Sequence, residues 1–297
     1  MTRTVAILGP GAVGGTFAVR LSEAHHRTIC VGTPEIVGLM ALSGITLDSN
    51  GSKPINVRPV MVERLVEPVS LLVVTVKAPH LADALERVEP ESVENAVVLP
   101  LLNGLEHLEP IRARLGRRVA AASLSQFEAY RVGRMQIVQG TPSGLVTMAS
   151  DDLSDQELER AADILRAAGM QVAIEDDEKR VLWRKAARAA VVSSATALTR
   201  RTIGELRTDP EWRPRMEQAL DEACAVATAD GVKMMSSAQW TRIVEMDPHL
   251  TTSAARDVIA GKRHELDAIA GSVVRAGKRL GVPCPVLARL AAEADAL

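Results

Sequence analysis

The sequence predicts an α/β chain: a doubly wound, mainly parallel sheet, followed by an all-helical second part. Three observations carry this. Short β-branched runs alternate with helix-spaced segments through the first half. From Glu178 onward, long Ala-rich periodic segments follow one another. Apolar residues fill 47% of the 297 positions, enough to bury a sizeable core in each part. The composition shifts at the charged run Glu175-Asp176-Asp177-Glu178-Lys179-Arg180. That places a boundary between an α/β domain of residues 1–176 and a helical domain of residues 177–297.

Thr4 to Leu8 is a short β-rich run, and Val13 to Ser22 has helical spacing. Thr28 to Val31 is apolar again. Val69 to Lys77 is almost continuously apolar and β-branched, the pattern of a strand buried on both faces. Leu81 to Val88 is amphipathic. Ala96 to Leu102 reads as another buried strand, ending at Asn103-Gly104. Further strands are expected over Val119 to Ser123, Gln136 to Gln139 and Gly144 to Met148. In the second part, three long helices are expected over Lys179 to Leu198, Trp212 to Asp230 and Thr252 to Leu280. Asp209-Pro210, Gly231, Asp247-Pro248 and Gly281-Val282-Pro283 punctuate them.

A formal net charge of −2 gives no support to nucleic acid or a membrane surface as a partner. Aromatics at 2% rule against base-stacking platforms. Cys30, Cys224 and Cys284 are far apart and form no metal-ligand spacing, so no metal is expected. Free thiols suit a reducing compartment. The N-terminal apolar run is short and cut off by glycines, and no uncharged stretch reaches about 18 residues, so neither a leader nor a membrane span is expected and a cytoplasmic location is.

The opening turn, VAILGPGAVGG, carries the first chemical signal. Gly9-Pro10-Gly11-Ala12-Val13-Gly14 fits G-x-G-x-x-G between a strand and a helix, the context that motif requires. Gly9 permits the tight turn, Gly11 lets the backbone approach a pyrophosphate, and Gly14 lets the helix pack on the strand. The helix start attracts phosphate through its N–H groups and dipole. These six residues are the expected cofactor contacts of a Rossmann-like domain. The second strand ends in Gly32-Thr33-Pro34, with no acid at its tip for ribose hydroxyls. That favours NADP (NADPH), with NAD also compatible.

The chain resembles the ketopantoate reductases (2-dehydropantoate 2-reductases), of the 6-phosphogluconate-dehydrogenase-like superfamily. The residues that carry the resemblance are GPGAVGG, VTVKAPH with Lys77, LLNG with Asn103-Gly104, LWRKAA with Lys185, the Gly204-Glu205-Leu206 that follows, and KRHELDAIAG with Glu265 ahead of GVPCP. The resemblance implies reduction of a 2-keto acid by NADPH, as in pantothenate biosynthesis, with the helical domain closing over the substrate. It makes Lys185 the general acid. Independent chemistry agrees: a hydride added to a ketone leaves charge on oxygen, and a lysine on an apolar helix can neutralise it. Glu265 is expected to hold the lysine or touch the cofactor ribose. Asn103 is expected at both nicotinamide ribose and substrate, and Lys77 at the adenosine end. Ser253 and Ser193 are expected, with Lys185, at the substrate.

Three positions depart from the family pattern. Ala189 and Ser193 stand where asparagines usually follow the lysine, and Ile203 replaces a further polar residue. Arg188 and Thr196 are the nearby polar candidates to compensate. The departures point away from ketopantoate itself and toward a bulkier or more apolar 2-keto acid. Two alternatives stay open: a dehydrogenase of the same fold acting on another keto or hydroxy acid, and a non-catalytic dinucleotide sensor. An Ala-rich helical domain also suits a homodimer.

Overall fold

The computed structural model describes residues 2–49, 52–133 and 135–297. The chain begins β1 (Thr4–Leu8), α1 (Ala12–Glu23), β2 (Arg27–Val31), α2 (Pro34–Ser43), β3 (Ile45–Ser49), β4 (Ile55–Val57), β5 (Val60–Val62) and β6 (Leu71–Val74). There follow α3 (Leu81–Leu85), α4 (Pro90–Val93), β7 (Val97–Pro100), α5 (Leu108–Leu115), β8 (Ala121–Ser125), β9 (Ala129–Arg131), β10 (Gln136–Gln139), β11 (Leu145–Ala149), α6 (Asp155–Ala167) and β12 (Gln171–Ile174). Helices then take over: α7 (Glu178–Thr199), α8 (Ile203–Leu206), α9 (Trp212–Ala229), α10 (Ser236–Val244), α11 (Ser253–Ile259), α12 (Ser272–Leu280) and α13 (Pro285–Asp295). Residue contacts divide the chain into two units. One holds the residues up to Leu102 and His107–Val181; the other holds Asn103–Glu106 and Leu182–Leu297.

The first unit is built on a five-stranded, all-parallel sheet of order β5-β2-β1-β6-β7. Val5 to Leu8 and all of β6 are buried, as strands covered on both faces must be. Strand pairing aligns Ile7 with both Cys30 and Val73, so the two sides of β1 are in register at the carboxyl edge. Helix α1 packs Phe17, Ala18 and Leu21 into the core. Two mixed sheets complete the unit, of order β4-β3-β10-β9 and β12-β11-β8. The expected strand over Val69 to Lys77 is confined to Leu71–Val74: Thr75 N makes the last ladder bond, to Leu8 O at 2.9 Å, and the Thr75 hydroxyl then turns to Gly9 O at 2.8 Å.

The second unit is helical. Helix α7 runs 22 residues, and Trp183, Ala186, Ala187, Ala190 and Val191 on it are buried. These side chains share one core with Met216, Ala219 and Ala223 of α9, Val273 and Ala276 of α12, and Leu287 and Leu290 of α13. The indole Nε1 of buried Trp183 donates to Asp230 Oδ2 at 2.8 Å, so its one polar atom is satisfied.

The single long helix expected over Thr252 to Leu280 is a correction. Helix α11 stops at Ile259. Lys262 N then donates to Asp257 O at 2.8 Å and Gly261 N to Val258 O at 3.0 Å, a Schellman closure. Helical structure resumes at residue 266 with a π-helical turn, Asp267–Gly271, which leads into α12. Glu265 therefore lies just outside a helix rather than within one.

Candidate active site

In the first unit, the glycine turn joins β1 to α1. Gly9 has φ +87°, in the left-handed region, and its N–H donates to Val31 O at 3.0 Å. A Cβ on Gly9 would collide with Val76. A Cβ on Gly14 would run into Thr75 Oγ1, Gly9 O and Ile7, so the helix sits hard against the strand. Gly11 differs. A Cβ there would meet nothing nearer than Gly9 O at 4.0 Å, which leaves its outer face open. No side chain caps α1, and no acidic residue occupies its first turn. The first N–H groups of a helix have no intrahelical partner, so those of Ala12, Val13 and Gly14 are available to an anion. A pyrophosphate fits this donor set. Thr75 is a support that sequence reasoning missed: its hydroxyl donates to Gly9 O at 2.8 Å and fixes the turn.

Pro10 lies within the turn, and a Cβ on Gly32 would stand 3.8 Å from its Cδ. The tip of β2 carries no acidic side chain: Gly32 has none, and Thr33 caps α2 by accepting from Ile36 N at 3.5 Å. Lys77 follows β6 at the same carboxyl edge and is half-buried. A separate cavity of about 1000 Å³ opens at the amino ends of β1, β6 and β7 and is lined by Arg3, His26, Arg118 and Arg160. It lies at the sheet edge opposite the glycine turn.

In the second unit, Asn103, Lys185 and Glu265 belong together. Asn103 Nδ2 donates to Glu265 Oε1 at 2.7 Å across 162 residues of sequence. Glu265 is buried, with 6% of its surface exposed. The motif LLNG explains how the bond is built. Gly104 has φ +92°, and a Cβ on it would strike Ala268 O in the π-helical turn. Only glycine lets the 103–106 segment lie directly on that backbone, one residue from the asparagine it positions. Arg275 clamps the same segment, reaching Glu106 through Nε at 3.0 Å and Nη2 at 2.7 Å, and Asp267 through Nη1 at 2.6 Å. Both carboxylates hold the Arg275 pKa well above the usual arginine value.

Lys185 lies on α7 among buried Trp183, Ala186 and Ala187 and is itself only partly exposed. Desolvation lowers its pKa from 10.5 to about 8. Glu265 acts in the other direction, raising it, and Arg188 adds a smaller lowering. A carboxylate thus keeps a desolvated ammonium charged near neutral pH, the state a proton donor to an alkoxide needs.

The remaining expected positions are placed as follows. Ser193 is buried on α7, and Ser253 is exposed at the start of α11, beside the Thr252 cap. Ala189 is half-buried, and Ile203 is fully buried in the helical core. Of the two compensating candidates, Thr196 is committed elsewhere: its hydroxyl donates to Val192 O at 2.7 Å and lies 3.0 Å from Thr252 Oγ1. Arg188 donates to Gln239 Oε1, and burial lowers its pKa. Among the described residues no cluster of metal-ligating side chains occurs, and no helix is long and apolar enough to cross a membrane.

Comparison with known proteins covers nearly the whole chain. The family described as "Ketopantoate reductase PanE/ApbA" matches residues 5–151, and "Ketopantoate reductase PanE/ApbA C terminal" matches residues 177–297. A 2-dehydropantoate 2-reductase of Vibrio cholerae is 27% identical over 285 residues, covering 95% of this chain and 93% of the relative. A PanE/ApbA-family ketopantoate reductase of Ralstonia eutropha superposes with a TM-score of 0.87 at 28% identity, over 98% of this chain and 97% of that one. A D-mandelate dehydrogenase solved with NADH and anilino(oxo)acetate gives a TM-score of 0.90 over 99% of this chain and 97% of that one. At 21% identity, that last likeness speaks for the fold alone.

Proposed function

Since this chain belongs to the ketopantoate reductase PanE/ApbA family, we propose that it reduces a 2-keto acid to the 2-hydroxy acid with NADPH. The observation that carries the reading is the trio in the second unit: a desolvated Lys185, the Glu265 carboxylate that raises its pKa, and Asn103 bonded to that carboxylate.

The α/β part of the chain, residues 1–176, would hold the cofactor and the helical part, residues 177–297, the substrate. Gly9, Pro10, Gly11, Ala12, Val13 and Gly14 hold the pyrophosphate, and Lys77 meets the adenosine end. When bound, the reduced nicotinamide supplies a hydride to the substrate carbonyl carbon. Lys185 donates the proton from Nζ to the carbonyl oxygen as negative charge develops there, and it ends the step neutral. Glu265 keeps that proton on Lys185 beforehand and orients Asn103. With one Nδ2 hydrogen committed to Glu265, Asn103 keeps its Oδ1 and second hydrogen for ribose or substrate. Ser253 and Ser193 complete the substrate contacts.

NADPH rather than NADH is favoured by the tip of β2, where Gly32, Thr33 and Pro34 offer no carboxylate for ribose hydroxyls. Ala189 and Ile203 favour a substrate other than ketopantoate, since an alkyl group cannot grip the polar tail an asparagine would. The test is cofactor oxidation against a panel of 2-keto acids, with NADPH and NADH in parallel. The reading expects NADPH-dependent turnover, best on a bulkier or more apolar keto acid. Turnover best on ketopantoate would remove the substrate preference. No turnover on any keto acid, with dinucleotide still bound, would favour a sensor.

A further inference from the structure

The tip of β2 lacks an acid, and no arginine follows it directly in sequence. The fold brings one there from 55 residues away. Arg87 lies just beyond α3, and its Nη1 is 3.4 Å from Gly32 O and 3.4 Å from Glu63 O. Gly32 and Glu63 directly follow the adjacent parallel strands β2 and β5, and Gly32 N donates to Val62 O at 3.1 Å. Gly9 N of the glycine turn bonds Val31 O on the same strand end. The guanidinium and the turn therefore share one carboxyl edge.

Arg87 is also uncommitted electrostatically. Its sequence neighbours Glu86 and Glu89 face other arginines, Glu86 toward Arg114 at 3.3 Å and Glu89 toward Arg64. Among the described residues, no carboxylate forms an ion pair with Arg87, and its two hydrogen bonds, both long, come from one nitrogen. Nε and Nη2 keep their donors. A half-buried guanidinium with a free fork is suited to bidentate capture of a phosphate. In folds of this class an acid at this strand end binds the ribose 2′-hydroxyl, and an arginine nearby accommodates a 2′-phosphate.

We propose that Arg87 is the residue that recognises the 2′-phosphate of NADPH. This rests on the dinucleotide reading of the glycine turn. The arginine is supplied by the segment after α3, which explains why no basic residue is needed in Gly32-Thr33-Pro34.

The test is calorimetric titration of the full chain with NADPH and with NADH, in the parent, Arg87→Gln and Arg87→Lys. The parent should bind NADPH more tightly. Loss of charge-assisted hydrogen bonds in Arg87→Gln should weaken NADPH at least about tenfold and leave NADH within about twofold. Arg87→Lys, with the charge but not the fork, should fall between. Retained NADH binding shows that the variants fold. NADPH affinity unchanged in Arg87→Gln would overturn the assignment alone. Equal weakening of both dinucleotides would also overturn it, reducing Arg87 to a support for the strand ends. A parent that binds neither dinucleotide would overturn the reading of the glycine turn, and this inference with it.

Discussion

Replacing Glu265 by Gln removes one charge while keeping an oxygen that can accept from Asn103 Nδ2, now at 2.7 Å from the carboxylate. The hydrogen bond survives; the field on Lys185 does not. That field is what opposes desolvation, which already holds the lysine pKa down at about 8. An opposite charge close to an ionisable group is worth about one to three pKa units, so its loss should lower Lys185 by about one unit. At pH 7.5 the protonated share then falls from about three quarters to about one quarter, a loss of about threefold in kcat/KM if the proton donor must be charged. The assay is kcat/KM for the best keto acid at saturating NADPH, across the neutral and alkaline range. The alkaline limb should move to lower pH by about one unit in Glu265→Gln. A limb that stays in place, or moves upward, would refute the assignment of that limb to a lysine held charged by Glu265.

Two further outcomes follow from the same geometry. Gly104→Ala places a Cβ at φ +92° and against Ala268 O, at a cost of about 1–3 kcal/mol from the backbone conformation alone; urea unfolding should show that loss, and kcat should fall as Asn103 is displaced from Glu265. Lys185→Met should stabilise the protein at pH 7. The folded pKa lies below the unfolded one, so the charged lysine is penalised at every pH below about 8, and the penalty is relieved as pH rises from 8 toward 10.5. The full shift would amount to about 3 kcal/mol, and partial exposure of the side chain reduces this to about 1–2 kcal/mol. Unfolding midpoints of parent and variant should converge at high pH.

Much of this was legible before any coordinates. The buried parallel strands announce themselves because a strand covered on both faces has no polar side to show, and Leu71–Val74 and Val97–Pro100 have none. The glycine turn is readable because Gly9 and Gly14 answer to steric demands that the motif encodes, while Gly11 leaves the turn's outer face open. Other features were hidden for a physical reason. Strands β4, β5 and β9, of three residues each, are too short to show a period. The break after Ile259 depends on two backbone bonds that close at Gly261, and apolar spacing on either side conceals it. The Asn103–Glu265 bond and the arrival of Arg87 beside Gly32 join residues 162 and 55 positions apart. Chain folding makes those pairs, and no local pattern encodes them. The π-helical turn beneath Gly104 explains the Asn-Gly pair only once Ala268 is seen against it.

The central claim is that the Lys185 ammonium neutralises the oxygen to which the substrate carbonyl is reduced. Its most direct test compares parent and Lys185→Met in single-turnover oxidation of bound NADPH by the best keto acid. The account predicts a rate lower by about 10²- to 10⁴-fold in the variant, with the dissociation constant of NADPH within about threefold of the parent. A variant that turns over within tenfold of the parent would contradict it.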